Sequence, residues 1–212
     1  MIATPSLTVQ ARKEPRQARS TTTVEAIYEA TIQVLLADGP SRLTTTRVAK
    51  RAGVSVGTLY QYFPNKQALF YAVNQRYLDM LADRVEAACR AQHGQNYADM
   101  ARALVGTYIT VKIERRDVTR VLYLAAVEVD VAELVEDMTQ RIEAASNVMF
   151  ASAGDAEFDN LATLNLTLLN VLFGTVRSFF DRQMSDLLEG AIGDQIVSMF
   201  CSALEAARSH PR

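Results

Sequence analysis

The chain is poor in the residues that build cross-linked or metal-bound sites. Cys89 and Cys201 are its only cysteines, which excludes a disulfide-stapled secreted scaffold and a four-cysteine zinc site. His93 and His210 are its only histidines, too few for a multi-histidine metal centre. No Gly-rich phosphate loop, paired metal-ligand spacing or catalytic constellation stands in the sequence, so neither an enzyme nor a cofactor is expected. The N-terminal stretch MIATPSLTVQARKEPRQARS has no apolar core of the signal-peptide kind. The most prominent uncharged run, 160–176, carries Asn and Thr throughout and falls short of the roughly 20 apolar residues that span a bilayer. A cytoplasmic protein is therefore expected, with that run as a buried helix and both cysteines as small buried apolar residues.

What is present is an ordinary globular composition, 49% hydrophobic and 22% charged over 212 residues. That is enough to bury a core without staples. The net charge of −2 hides an asymmetry. Residues 1–66 carry nine Lys and Arg against four Asp and Glu, a net +5. Residues 67–212 carry 13 against 20, a net −7. Such a split fits one end that meets a polyanion, or two differently solvated surfaces.

Strand signals are scarce, with only 5 prolines and 9 glycines, and apolar residues recur at three- and four-residue steps, so the fold class is all-α. Residues 1–20 read as a flexible basic arm. A helix follows from Thr21, with Val24, Ile27, Tyr28, Thr31, Val34 and Leu35 on one face, and Asp38-Gly39-Pro40 stops it. Thr44 can cap a second helix carrying Val48, Ala49 and Ala52, which Gly53 ends. Ser55 can cap a third over 56–62, and Asn65 a long fourth over 66–91. Further helices are expected over 97–115, 117–127, 130–152, 156–182 and 185–207, about nine in total.

Residues 49–60, AKRAGVSVGTLY, read as a helix-turn-helix. Gly53 supplies the turn conformation, and Ala49, Val54 and Leu59 pack the crossing. The helix over 56–62 would enter the major groove with its N-terminal residues toward base edges. Gly57 allows close approach, Thr58 offers a hydroxyl and a methyl, Tyr60 and Tyr62 carry hydroxyls that reach phosphate, and Gln61 suits adenine.

The longer stretch LTTTRVAKRAGVSVGTLYQYFPNKQALF resembles the DNA-binding segment of the TetR family of bacterial transcriptional regulators, the likeness covering about residues 24–70. That resemblance implies a three-helix DNA-binding domain over 21–66 and a helical effector-binding and dimerisation domain over 67–212. It implies that Thr44, Thr45 and Thr46 meet phosphate, that Ser55, Val56, Gly57 and Thr58 open the recognition helix, and that Tyr60, Tyr62 and Lys66 meet backbone phosphates. With Val56 and Gly57 carrying no polar side chain, thymine methyls, water and DNA shape are left a larger share of specificity. Tyr60 and Tyr62 can also serve the core, and Lys50-Arg51 can be a solvated face. Arg12, Lys13, Arg16 and Arg19 of the arm can enter the minor groove, add nonspecific affinity, or stay disordered.

For the remainder the resemblance implies a homodimer through the last two long helices. Leu161, Leu164, Leu168, Leu172 and Val176, then Ile192, Ile196, Met199, Phe200 and Leu204, recur there at helical spacing; an intramolecular core explains part of the same pattern, and the segment can serve both. It also implies a cavity for a small, largely apolar or aromatic effector, with Tyr77, Met80, Leu81, Tyr108, Tyr123, Phe150, Asn165, Leu169 and Phe173 as lining candidates or plain core. Glu128 and Asp130 can favour a cationic ligand, but read better as solvated acids. The expected function is a dimeric, ligand-responsive repressor of double-stranded DNA with a palindromic operator. A helical protein-binding adaptor, and then an enzyme on a helical scaffold, are the alternatives.

Overall fold

The computed structural model describes residues 18–126, 128–182 and 186–209. Among them run nine α-helices: α1 Ala18–Asp38, α2 Thr45–Ala52, α3 Val56–Tyr62, α4 Lys66–Ala91, α5 Tyr97–Glu114, α6 Arg116–Ala125, α7 Ala132–Ala151, α8 Leu161–Asp181 and α9 Asp186–Ala206. A single 3-10 turn covers Pro40–Arg42, and the one β-type contact among the described residues is an isolated bridge between Phe158 and Arg208. The all-α reading holds. No helix among the described residues is long and apolar enough to cross a membrane. His210 and the arm residues Arg12, Lys13 and Arg16 lie outside the described residues, as does the expected break at 183–185. The helix read from Thr21 already begins at Ala18.

The chain divides into two compact units. The first runs to Leu78 and takes in Arg116–Leu134; the second holds Asp79–Arg115 and Val135–Arg212. The core of the first unit gathers Ile27, Val34 and Leu35 of α1, Val48 and Ala49 of α2, Leu59 of α3, Phe63, and Leu69, Phe70 and Val73 of α4. Val118, Val121, Leu122 and Ala125 of α6, and Val129 beyond it, join the same cluster. The apolar core around the helix-turn-helix therefore continues past Lys66 and recruits a helix from far along the chain.

In the second unit, α9 packs on α5 and α8. Ile196, Phe200 and Leu204 of α9 are buried, as are Leu168, Leu172 and Val176 of α8, while Leu161, Leu164 and Ile192 are half-buried and Met199 faces out. The helix expected from 156 begins only at Leu161. Residues 154–160 are committed elsewhere: Gly154 N–H donates to Gln95 O at 3.0 Å, Asp155 Oδ1 accepts from Tyr97 N–H at 3.0 Å, and Asp159 N–H donates to Ala207 O at 2.9 Å. Asn160 then turns the chain with φ 53°, a left-handed conformation that Asn tolerates better than most residues. Cys89 is buried as expected; Cys201 is half-buried.

Candidate nucleic-acid interface

The local chemistry of α2 and α3 explains why they form at all, since helices of 8 and 7 residues are too short to stand alone. Each is capped. Thr44 accepts from Arg47 N–H, and Ser55 accepts from Thr58 N–H at 2.9 Å. Gly53 closes α2 in the left-handed region with φ 69°. Its N–H reaches back to Lys50 O, and that of Val54 to Ala49 O. Leu59 and Phe63 are fully buried and anchor α3 on the core. Thr45 Oγ1 and Tyr60 Oη lie 3.1 Å apart, which ties α2 to α3 on the solvent side.

The outer surface of this unit carries most of the residues expected to meet DNA. Thr44, Thr46, Ser55, Gly57, Tyr60 and Gln61 are exposed; Thr45, Val56, Thr58, Tyr62 and Lys66 are half-buried. Tyr60 keeps 42% of its surface in solvent, so it is not a core residue, whereas Tyr62 packs against the buried cluster. Ser55 Oγ and Thr58 Oγ1 are 2.8 Å apart and occupy one another. Gly57 is an exposed position near the start of α3. Its φ is ordinary for a helix, and a Cβ built there would meet only Ser55 Oγ at 3.7 Å. Nothing within the fold asks for glycine at this point.

Three cations of α2 add to this surface: Arg47, Lys50 and Arg51 are exposed. Arg47 pairs with Asp38 at 2.6 Å and Arg51 Nε donates to Gln33 Oε1 at 2.7 Å, so both are steered by α1. Lys66 also has partners within the first unit. Its ammonium donates to Pro40 O at 3.2 Å and to Glu128 Oε2 at 3.3 Å, and lies 5.1 Å from the centroid of the Phe70 ring. Glu128 is thus a polar partner rather than a plain solvated acid, a contact 62 residues apart that sequence spacing does not signal.

The nine effector candidates fall in both units. Tyr77 and Tyr123 belong to the first; Tyr77 Oη is 2.7 Å from Thr119 Oγ1, and burial pushes its phenol up to about 12. Leu81, Tyr108, Phe150, Asn165 and Leu169 are buried in the second unit, Phe173 is half-buried and Met80 is exposed. Tyr108 and Phe173 stack with ring centroids 4.9 Å apart. Asn165 donates to Ser146 Oγ at 2.9 Å, while its Oδ1 is buried with no hydrogen bond. The sequence reading missed Lys112, which is 2% exposed and lies 5.7 Å from the Tyr108 ring centroid. Burial, and then the charge of Arg177, pull its ammonium down to about 7. A signal was available: Lys112 falls in step with Ala101, Leu104, Val105 and Tyr108 on the buried face of α5. No group of His, Cys, Asp and Glu among the described residues is arranged to hold a metal ion.

Residues 27–73 match the family model described as bacterial regulatory proteins, tetR family. The nucleoid occlusion factor SlmA of Actinobacillus pleuropneumoniae serotype 5b is 38% identical over 85 residues, 40% of this chain and 41% of that relative. The chain thus spans well under half the length of the curated relative it matches. Two solved structures share the fold over nearly the whole chain. The fatty acid degradation regulator FadR of Bacillus halodurans gives a TM-score of 0.67 at 15% identity, covering 89% of this chain and 96% of that one. FadR of Bacillus subtilis in complex with stearoyl-CoA gives 0.67 at 16%, covering 85% and 98%. At such identities these two likenesses speak to the fold alone.

Proposed function

Because residues 27–73 make this chain a member of the tetR family of bacterial regulatory proteins, a family of regulators rather than enzymes, we propose that it acts as a homodimeric repressor released from a palindromic operator by a small-molecule effector. The observation that carries the DNA-binding part is the open backbone at Gly57. A twice-anchored, capped α3 presents a position where the fold tolerates a side chain and a close-approaching groove wall would not. Thr44, Thr45, Thr46, Tyr60 and Tyr62 then flank it as phosphate contacts, and Ser55, Val56, Thr58 and Gln61 as base-edge or near-base residues.

Dimerisation through α8 and α9 would set two recognition helices about 34–36 Å apart. Leu166 and Met199 are each 43% exposed and supply apolar area on these helices. Thr167 Oγ1 and Asn170 Nδ2 turn back onto carbonyls of their own helix, so covering this face leaves few polar groups orphaned. The effector would lodge in the second unit near Tyr108, Phe150, Leu169 and Phe173, with Asn165 Oδ1 as a waiting acceptor. A ligand of this kind is apolar or aromatic with a hydrogen-bond donor; the Bacillus subtilis protein of the same fold holds stearoyl-CoA, whose acyl chain is apolar and whose CoA part is charged. Release follows as a population shift, the ligand favouring the geometry that spaces the heads wrongly for DNA.

A second reading rests on the identity to SlmA, named a nucleoid occlusion factor: a DNA-bound protein that acts on the nucleoid rather than at promoters. Selection of bound duplexes from a random pool, followed by mapping of the selected sequence in the genome, separates the two. A palindrome next to promoters supports the repressor; sites away from promoters support the second reading; no enrichment rejects both.

A further inference from the structure

Lys66 opens α4, where a cation and the partial positive charge of a helix N-terminus together attract phosphate. In this structure its charge is already engaged. Of the three donors on the ammonium, one goes to Pro40 O at the α1–α2 connection and one to Glu128 at the end of α6, while Phe70 covers it from below at 5.1 Å. The side chains of the pair are 26% and 40% exposed, so solvent screens the pair only in part. Glu128 does not arrive by chance. Its N–H closes the turn onto Ala125 O at 2.9 Å, and the next residue, Val129, is buried in the core of the same unit, with Val131 packed against that core. The carboxylate is carried to Lys66 by a segment that plugs into the first unit immediately after α6.

We propose that Glu128 is a built-in competitor of DNA phosphate for Lys66, and that seating of the segment after α6 lowers DNA affinity by holding that lysine in an internal ion pair. The inference rests on the DNA-binding reading above and assigns it a regulatory contact. While the pair stands, the phosphate nearest the start of α4 meets a neutralised lysine and an adjacent carboxylate. When the segment lifts, the lysine gains a charge-assisted bond to phosphate and the repelling carboxylate leaves. An effector that keeps 128–131 seated therefore weakens DNA binding without touching α3, and DNA that captures Lys66 loosens the segment in return, as linkage requires.

A charge-matched cycle on the full chain tests this. DNA affinity is measured for the wild type, Glu128→Gln, Lys66→Gln and the double variant, with Asp130→Asn as a control for simple loss of a nearby negative charge, and thermal unfolding checks that each is folded. Glu128→Gln is expected to tighten binding about 3- to 10-fold, more than Asp130→Asn does, and to lose that excess once Lys66 is Gln. Equal tightening in both lysine backgrounds, tightening no greater than that of Asp130→Asn, or weaker binding by Glu128→Gln each overturns the proposal. Absence of DNA binding by the wild type and every variant rejects the DNA-binding reading, and this inference with it.

Discussion

At the scale of single residues, Gly57 and Lys112 mark the places where local stability and proposed function pull apart. Glycine inside a helix costs roughly 0.5–1 kcal/mol relative to alanine. At Gly57 that cost has no return within the molecule, because a Cβ there would meet only Ser55 Oγ, at an ordinary 3.7 Å. Gly57→Ala is therefore expected to leave the unfolding midpoint unchanged or raised while lowering DNA affinity at least tenfold; circular dichroism melting and fluorescence anisotropy read the two effects. Lys112 is the converse, a charge held inside. Its ammonium falls from 10.5 to about 7 on burial, so between those values the native state binds fewer protons than the unfolded chain. Stability consequently rises with pH across roughly 7 to 10, and the penalty of burying the charge is felt in full below that window. Urea midpoints over this range are expected to climb for the wild type and to climb less for Lys112→Met. The sequence placed Lys112 in step with the apolar stripe of α5, but that signal was outweighed because a lysine reads as a solvated residue by composition.

Elements were legible wherever a capping residue and an apolar period agreed. Thr44, Ser55, Asn65 and Gly53 each act at the terminus their chemistry suits. The starts of α1 and α8 were less legible, and for different reasons. Ala18 to Ser20 extend α1 into a polar stretch with no apolar period to announce a helix. A helix is expected from 156, but the backbone N–H groups of Gly154 and Asp159 are claimed by Gln95 and Ala207, and the Asp155 carboxylate by Tyr97 N–H, partners far away in sequence. Pairings of that length also hid the Lys66–Glu128 contact and the share of α6 in the first core. One prediction belongs at this scale. Gly53 holds φ 69° in open space, so Gly53→Ala meets no clash but pays the left-handed penalty of about 1–2 kcal/mol. A lower melting temperature of the first unit, with the second unit's melting unaffected, is expected from differential scanning calorimetry.

Across the whole molecule, the charge split of +5 over 1–66 and −7 over the rest now has a structural counterpart in a helix-turn-helix unit with exposed Arg47, Lys50 and Arg51. Helix α4, 26 residues and about 39 Å long at 1.5 Å per residue, contributes its first half to one unit and its second half to the other. The family model covers residues 27–73, and the contacts that would make the chain a regulated switch lie largely beyond it, where relatives share fold and little sequence. The most direct test of the central claim is a salt titration of binding to a duplex selected from a random pool. If the first unit grips the DNA backbone as argued, the logarithm of affinity falls linearly with the logarithm of salt concentration, by about 10³-fold or more between 50 and 200 mM, and the selected duplex stays preferred over a scrambled one throughout. An affinity that is flat with salt, or equal for selected and scrambled duplexes, would contradict the account.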